Sequence, residues 1–489
     1  MTVTADFHPS DTLLSCDAMG ACDRLTIERG TPGFTLMLRA GQGAARHIRR
    51  AFRPASTLVA CGPGNNGGDG FVIADDLRRH GWDVRVGLLG GPDRLTGDAA
   101  RALALWDGPV EPLAVELLDG VDILVDAVFG AGLARPVEGE TAAFLARAAG
   151  RAASGRLRVA AIDVPSGVHG DTGAVLGIAC PADLSLTFHR RKPGHVLYPG
   201  RDLCGGVRVI DIGIDPTAMA AVDPTARVIS PTLWADRLQP AGPQDHKYSR
   251  GHVLVLAGEM PGAARLAARA ARRMAAGLVT VCAPPDRVDL IAGDAPGLIV
   301  RETPDDLPAF AAERKAAALV VGPGLGRGPN ALRLGEAALA CDVPLVLDAD
   351  MFALFAERGL STRAPAVLTP HGGEFARFFQ GIDVGELGRV EGVVRAAEAS
   401  GHTVLLKGPD TTVAAPDGQC AILDGAPPTL ATGGTGDVLA GAIASLLGHG
   451  LPAFEAACAG VWHHREAARR LGGRSLTAED LADGLAGTL

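Results

Sequence analysis

The chain predicts an α/β protein of two domains, and three observations carry that reading. Short runs rich in Val, Leu and Ile alternate with helical patterns along nearly its whole length, as expected of parallel sheets covered on both faces. Its 489 residues exceed what one core supports, since cores stop growing near ~250 to 300 residues. Finally, 47% of the residues are hydrophobic but only 4% are aromatic, and an Ala- and Gly-rich interior suits close packing of helix on sheet.

In chain order, strands are expected at STLVAC, DVRVGLL, VDILVDAV, LRVAAID and VRVIDI, then at HVLVLA, LVTVCA, AALVV, VPLVLDA, AVLT and HTVLLK. Each is a continuous apolar run closed by turn residues, the pattern of a strand buried on both faces. Residues 214–245 break this rhythm with five prolines, which predicts a domain at 1–220, a linker at 221–245 and a second domain at 246–489. Apolar positions in VISPTLWADRL indicate that part of the linker packs. The motifs of one half do not recur in the other, so the halves are not repeats. In the second half, PGAARLAARAARRMAAG reads as a helix opened by Pro261 and Gly262 and closed by Gly277 as a left-handed C-cap. Near the C-terminus, GDVLAGAIASLLGHG and AFEAACAGVWHHREAARRLGG read as helices, the first apolar all round and hence interior.

The net charge of −9 provides no basic field for a polyanion, which argues against a nucleic-acid partner. The first residues lack a basic stretch followed by an apolar one, and no apolar run reaches about 18 residues, so neither signal peptide nor membrane span is expected. Nine cysteines without a C-x-x-C pair read as reduced, buried thiols of a cytoplasmic protein.

The chemistry concentrates at strand ends. GPGNNGGDG, Gly62 to Gly70, holds five glycines in nine residues between a strand and a helix. It could be a tight turn with Asp69 as N-cap, or a loop whose backbone approaches a ligand. VDILVDAVFGAGLARP places Asp126 at another strand end, and VAAIDVPSG places Asp163 and Ser166 at a third. Ligands of open parallel sheets bind outside the carboxyl ends of the strands, so these groups are expected to share one crevice. Amide, carboxylate and hydroxyl oxygens there suit an alkali or alkaline-earth cation rather than zinc. For proton transfer, Asp163 is the first choice and Lys192 of HRRKPG the second.

In the second half, TGGTGD opens the apolar helix, and free N–H groups at its start form an anion hole suited to a phosphoryl group. Asp437 lies just inside, placed to deprotonate an attacking hydroxyl. KGPDT supplies Lys407 and Thr411, GPGLGRG a second glycine loop, and TPHGGE supplies His371 and Glu374.

NNGGDG, DAVFGAGLARP, IDVPSG and TFHRRKPG together resemble the NAD(P)H-hydrate epimerase domain of the YjeF N-terminal type over residues 10 to 215. The resemblance implies a Rossmann-like three-layer sandwich that interconverts the R and S epimers of hydrated NADH and NADPH, whose hydroxyl sits on carbon 6 of the nicotinamide ring. It implies potassium on Asn66, Asp126 and Ser166. It further implies substrate contacts from Asn65, Asn66, Gly67, Gly68 and Asp69, from Gly130, Ala131, Gly132, Leu133, Ala134, Arg135 and Pro136, and from Asp163. Pro63 departs from the family's usual residue between the glycines.

HKYSRGHVLVLAG, MPGAA, GPGLG, DAD, TPHGGE, KGPDT and TGGTGD resemble, over residues 246 to 489, the ribokinase-like NAD(P)H-hydrate dehydratases that consume ADP or ATP. By position, Ala263, Gly324, His371 and Asp437 would contact the hydrated nucleotide. Lys407, Gly408, Pro409, Asp410, Thr411 and Gly436 would hold the adenine nucleotide with Mg²⁺, and bacterial members generally use ADP. The expected partners are small molecules only, the expected assembly is a homo-oligomer, and no membrane is involved. The competing reading is a small-molecule kinase, such as a hydroxymethylpyrimidine-type kinase, fused to a nucleotide-binding or scaffold domain.

Overall fold

A computed structural model describes residues 11–238, 242–473 and 475–489. The chain forms two compact units that meet in sequence between Arg227 and Val228.

In the first unit, a short β1 (Thr12–Leu13) precedes β2 (Thr57–Cys61), β3 (Val84–Leu88), β4 (Val110–Pro112), β5 (Ile123–Ala127), β6 (Arg158–Ile162), β7 (Leu184–Phe188) and β8 (Gly206–Ile210). The last seven form one parallel sheet in the order β4-β3-β2-β5-β6-β7-β8. Thr12 and Leu13 pair antiparallel with Arg227 and Ala226 of β9 (Ala226–Val228). Alternate strand residues feed two cores, as a strand apolar on both faces must. Val59, Cys61 and Val125 pack against the helices Gly33–Ala51 and Asn65–Arg79, while Leu58, Ala60 and Leu124 pack against Gly139–Ala153. Strand β7 escaped the sequence reading because LSLTF alternates polar and apolar residues. Its hydroxyls are nonetheless buried and satisfied, Ser185 by the Cys204 carbonyl at 2.7 Å.

The second unit carries β10 (His252–Leu256), β11 (Leu278–Ala283), β12 (Ile299–Glu302), β13 (Ala318–Val321), β14 (Leu345–Leu347), β15 (Ala366–Leu368), β16 (Thr403–Leu406), β17 (Thr412–Ala414) and β18 (Cys420–Ile422). They run in the order β18-β17-β16-β15-β14-β13-β10-β11-β12. Pairing is parallel from β12 to β16 and antiparallel through β17 and β18. The apolar helix Thr435–Gly448 is interior as expected, lying so close to the helix Pro261–Arg273 that a Cβ on Gly441 would collide with the Ala267 carbonyl.

One expectation needs correction. The helix Pro261–Arg273 is not closed by Gly277: the left-handed residue is Ala275, at φ 67°. Gly277 is glycine for another reason, since any Cβ there would strike the Lys247 carbonyl. Within residues 221–245, Ile229 and Trp234 are buried in the second unit's core, and Trp234 meets Trp462 edge-on at 6.0 Å. Residues 1–10, 239–241 and 474 lie outside the described residues. All nine cysteines are free thiols, eight buried and Cys16 half-buried. Among the described residues no helix is long and apolar enough to cross a membrane.

Candidate active sites

In the first sheet the chain leaves β2 toward β3 and β4, then crosses back to β5 on the other side of β2, which opens a crevice at the carboxyl ends of β2 and β5. After β2 the helix begins at Asn65, with Gly64 rather than Asp69 as N-cap, so NNGGD forms the first turns of the helix. Its glycines serve packing: a Cβ on Gly67 would collide with the Gly62 carbonyl, and one on Gly68 with the Met37 side chain at 2.6 Å. Asn66 ties the neighbouring strand ends together. In the amide orientation its partners require, its nitrogen donates to the Ile162 carbonyl and its oxygen accepts from Gly130 N–H, both at 3.2 Å.

Asp126 is wholly buried near the end of β5. Its carboxylate accepts from the Ser166 hydroxyl at 2.5 Å and the Ser166 N–H at 2.8 Å. Burial pushes its pKa up, and the Ser166 hydrogen bonds pull it back only in part. A buried carboxylate with hydrogen-bond donors but no cationic side chain lacks a counter-charge. Ser166 adds a neutral hard oxygen directly on it, and Asn66, whose amide oxygen faces Gly130 N–H, supplies another, oxygen donors of the kind that suit a monovalent cation.

Asp163 follows β6 in the left-handed region, at φ 67°, where a non-glycine residue is strained and often functional. One carboxylate oxygen accepts from Lys192 Nζ and the Thr187 hydroxyl, each at 2.8 Å, and the other from Ala131 N–H at 3.0 Å. Burial raises its pKa, but Lys192 and the hydrogen bonds outweigh that and hold it at about 2. Lys192 is 3% exposed, so it belongs to the site and not to a solvated basic loop. A carboxylate held this firmly in its ionised form is suited to accepting hydrogen bonds more than to exchanging a proton near neutrality.

Asn66, Asp163 and Lys192 open into a cleft of about 860 Å³ lined also by Asn65, Asp69 and Gly130 to Arg135, while Asp126 and Ser166 are wholly buried and not part of its lining. Gly67, Gly68 and Pro136 are not part of its lining. Asp69 is buried, and desolvation with the nearby charges of Asp163 and Asp23 pushes its pKa well up. A further part of the lining is a face of the helix Cys16–Glu28, including Cys16, Met19 and Asp23, with Cys16 Sγ donating to the Ala131 carbonyl at 3.1 Å. Sequence reasoning missed that face. The available signal was the three- and four-residue spacing of its cleft-facing positions.

In the second sheet the corresponding switch point falls between the paired strands β10 and β13. Gly324, at φ 60°, follows β13, and a Cβ there would press on Ala263 at 3.0 Å, so these two predicted contacts are neighbours. Lys407, after β16, donates to Asp348 at 2.7 Å. Burial lowers the Lys407 pKa, but the Asp348 charge more than offsets it, so the ammonium is held protonated. Asp437 sits in the first turn of the helix Thr435–Gly448 behind Gly434, whose φ is 88°. Burial and Asp348 push the Asp437 pKa up to about 6, against a lowering by Lys407. A Cβ on Gly436 would stand 3.5 Å from Lys407 Nζ, so the unpaired N–H groups of the helix start lie beside a fixed positive charge. His464 Nε2 donates to the Thr435 carbonyl at 2.9 Å and braces this turn from behind.

The remaining predicted residues have structural duties too. The Thr411 hydroxyl donates to the Gly408 carbonyl at 2.7 Å and closes the KGPDT turn, leaving Pro409 exposed while Asp410 accepts Arg389 at 3.4 Å. His371 caps the helix Gly372–Phe378: its Nδ1 accepts from Gly373 N–H at 3.0 Å, and the Glu374 carboxylate accepts the His371 N–H at 2.9 Å. Its Nε2 lies 3.5 Å from Glu374 Oε1, on a side chain that is 57% exposed. Asp348 was quoted in the DAD motif without a role, although an aspartate directly after a buried strand is the same signal that marked Asp163.

Residues 33–194 match the family described as YjeF-related protein N-terminus, and residues 253–488 match the NAD(P)H-hydrate dehydratase family. Proteins named bifunctional NAD(P)H-hydrate repair enzyme Nnr are similar over almost the full length. The one from Salinibacter ruber is 38% identical, covering 96% of this chain and 95% of its own. The one from Coxiella burnetii is 37% identical, covering 94% and 95%. A crystal structure of the ADP/ATP-dependent NAD(P)H-hydrate dehydratase from Bacillus subtilis is 32% identical over 51% of this chain and 93% of its own, with a TM-score of 0.46.

Proposed function

The chain belongs to the bifunctional NAD(P)H-hydrate repair enzymes, and from that premise we propose that its first unit interconverts the R and S epimers of NADHX and NADPHX while its second dehydrates the S epimer with ADP or ATP. The observation that carries this reading is that each unit sets its own motif residues at the carboxyl ends of its own parallel strands and the helix starts beside them: Asn66, Asp126, Asp163 and Ser166 in one, Gly324, Lys407, Gly436 and Asp437 in the other. Such a division suits two reactions on one substrate, an isomerase that supplies the epimer a lyase consumes. Membership of this family leaves the fused small-molecule kinase without support.

In the second unit hydroxide is a poor leaving group, and the residues are placed to convert it to phosphate. Asp437 takes the proton of the ring hydroxyl, and the N–H groups after Gly434 with Lys407 bind the transferring phosphoryl group. Gly408 to Thr411 hold the rest of the nucleotide, and Ala263, Gly324 and His371 position the hydrated ring. Among the described residues no three His, Cys, Asp or Glu side chains converge on a metal position. Mg²⁺ bound with the nucleotide phosphates would supply charge neutralisation. In the first unit, Asn66, Asp126 and Ser166 would hold potassium, which supplies the counter-charge that Asp126 lacks. Asp163, with Lys192, accepts and orients the polar groups of the substrate. The protein is proposed to act in the cytoplasm as a homo-oligomer.

The test is a mixture of both epimers of hydrated NADH incubated with the full chain and ADP. The absorbance of reduced nicotinamide should return for the entire mixture, faster than the epimers interconvert unaided, with AMP and phosphate formed. Return of only the S share would remove the epimerase, and a stable phosphorylated product would favour a kinase.

A further inference from the structure

Cys16, Met19, Gly20, Asp23 and Ile27 follow one another at spacings of three, one, three and four along the helix Cys16–Glu28, and all five line the cleft. Such positions share one face of a helix. Asp23 is the single carboxyl on that face, and Asp163 and Lys192 line the strand-end side of the same cleft. The contrast between the two aspartates is in their partners. The Asp163 oxygens take three donors, whereas Asp23 Oδ1 is buried with no hydrogen-bond partner among the described residues. A buried acceptor left unpaired costs free energy until a ligand satisfies it.

We infer that Asp23 takes the proton from the substrate's ring hydroxyl and returns it during epimerisation, while Asp163 and Lys192 of the same cleft hold the substrate. This rests on the epimerase reading above and names its proton carrier. Burial pushes Asp23 to about 6, against Lys192 and Arg24, which lower it, and with Asp163, which raises it. Asp69 and Asp98 also line the cleft, and burial, with the charges of Asp163 and Asp23, pushes the Asp69 pKa well up. Asp23 thus exchanges its proton close to the working pH, where a general base is most effective.

Carbon 6 of the hydrated ring carries both a hydroxyl and the ring nitrogen, so it is a hemiaminal carbon that can invert by opening and closing. The Asp23 carboxylate takes the hydroxyl proton as the C6=O bond forms and the C6–N1 bond breaks, and the electron pair passes to N1 in conjugation with C2=C3 and the carboxamide. Rotation about C5–C6 presents the other face of the carbonyl. N1 then re-forms its bond and the proton returns from Asp23 to oxygen. No oxidant, reductant or further reactant is consumed.

The experiment starts the full chain, without ADP, on one isolated epimer of hydrated NADH and follows the other by chromatography. Asp23→Asn should lower kcat at least ~100-fold, the low end of general-base contributions, with KM within a few-fold of the parent. The parent's kcat should rise as pH passes upward through about 6, and the variant should lose that rise. Asp23→Glu should recover part of the rate, and Asp163→Asn should act chiefly on KM. A kcat for Asp23→Asn within a few-fold of the parent, or an unchanged pH profile, overturns the assignment. So does loss of substrate binding in both Asp23 variants, which would mean that Asp23 only shapes the helix. A parent that leaves the epimers unconverted overturns the epimerase reading itself, and this inference with it.

Discussion

Replacing Asp437 by Asn keeps the shape of the side chain at the start of its helix and removes its capacity to take a proton. Dehydration should fall by at least ~10²-fold. ADP affinity should change little, because backbone N–H groups and Lys407 carry the phosphates, and epimerisation should be untouched, because it belongs to the other unit. In the parent, kcat/KM for dehydration should drop as pH falls through about 6, where the raised pKa of Asp437 returns it to the inactive acid. One purified variant assayed for all three quantities decides the matter, and a dehydration rate within a few-fold of the parent removes Asp437 from the chemistry. Residues of this kind were legible in the sequence because each follows a buried strand or a glycine turn. Asp23 was not, since its place depends on a helix face meeting a crevice built by strands distant in sequence. Lys192 was legible only as an alternative to a solvated loop, because nothing in HRRKPG announces a lysine that is 3% exposed.

At the scale of elements, the start of the helix Asn65–Arg79 offers a paired test. Gly67 has no room for a Cβ beside the Gly62 backbone, whereas Gly64, at φ −105°, has nothing within 4 Å. Gly67→Ala should therefore destabilise the first unit by about 2 to 3 kcal/mol, as overpacking does, and Gly64→Ala should be near neutral. Urea midpoints of the two variants check this, and equal midpoints would show that the strand ends can part to admit a methyl group. The same region shows where pattern reading stops. The long apolar strands were found because their alternation is hidden by burial on both faces. β7 was passed over for its Ser and Thr, and the short strands β4, β12, β17 and β18, which no long apolar run announces, were passed over as well. Gly277 was misread because glycine at a helix end and glycine under a carbonyl look alike in one dimension.

At the scale of the molecule, the two units are proposed to fold and act apart, provided the cut respects the packing rather than the prolines. Ile229 donates to the Ile422 carbonyl at 2.9 Å, and Trp234 is 4% exposed within the second core. A fragment of residues 228–489 should dehydrate the S epimer. One that starts at 246 should be less stable by about 3 to 5 kcal/mol, the usual cost of deleting a buried tryptophan. Thermal melts of both fragments check the difference, and identical melts would make the segment a true linker. The inventory of thiols bears on how the protein ages. Oxidation starts from thiolate, and burial pushes Cys180, Cys204, Cys282 and Cys420 up to about 12. Met260, in contrast, is 62% exposed and accepts no such protection. It donates its N–H to the Gly324 carbonyl at 3.0 Å and opens the helix that bears Ala263. Peroxide damage should thus begin as a sulfoxide at the mouth of the second site, with the cysteines intact, and dehydration should fade before epimerisation does.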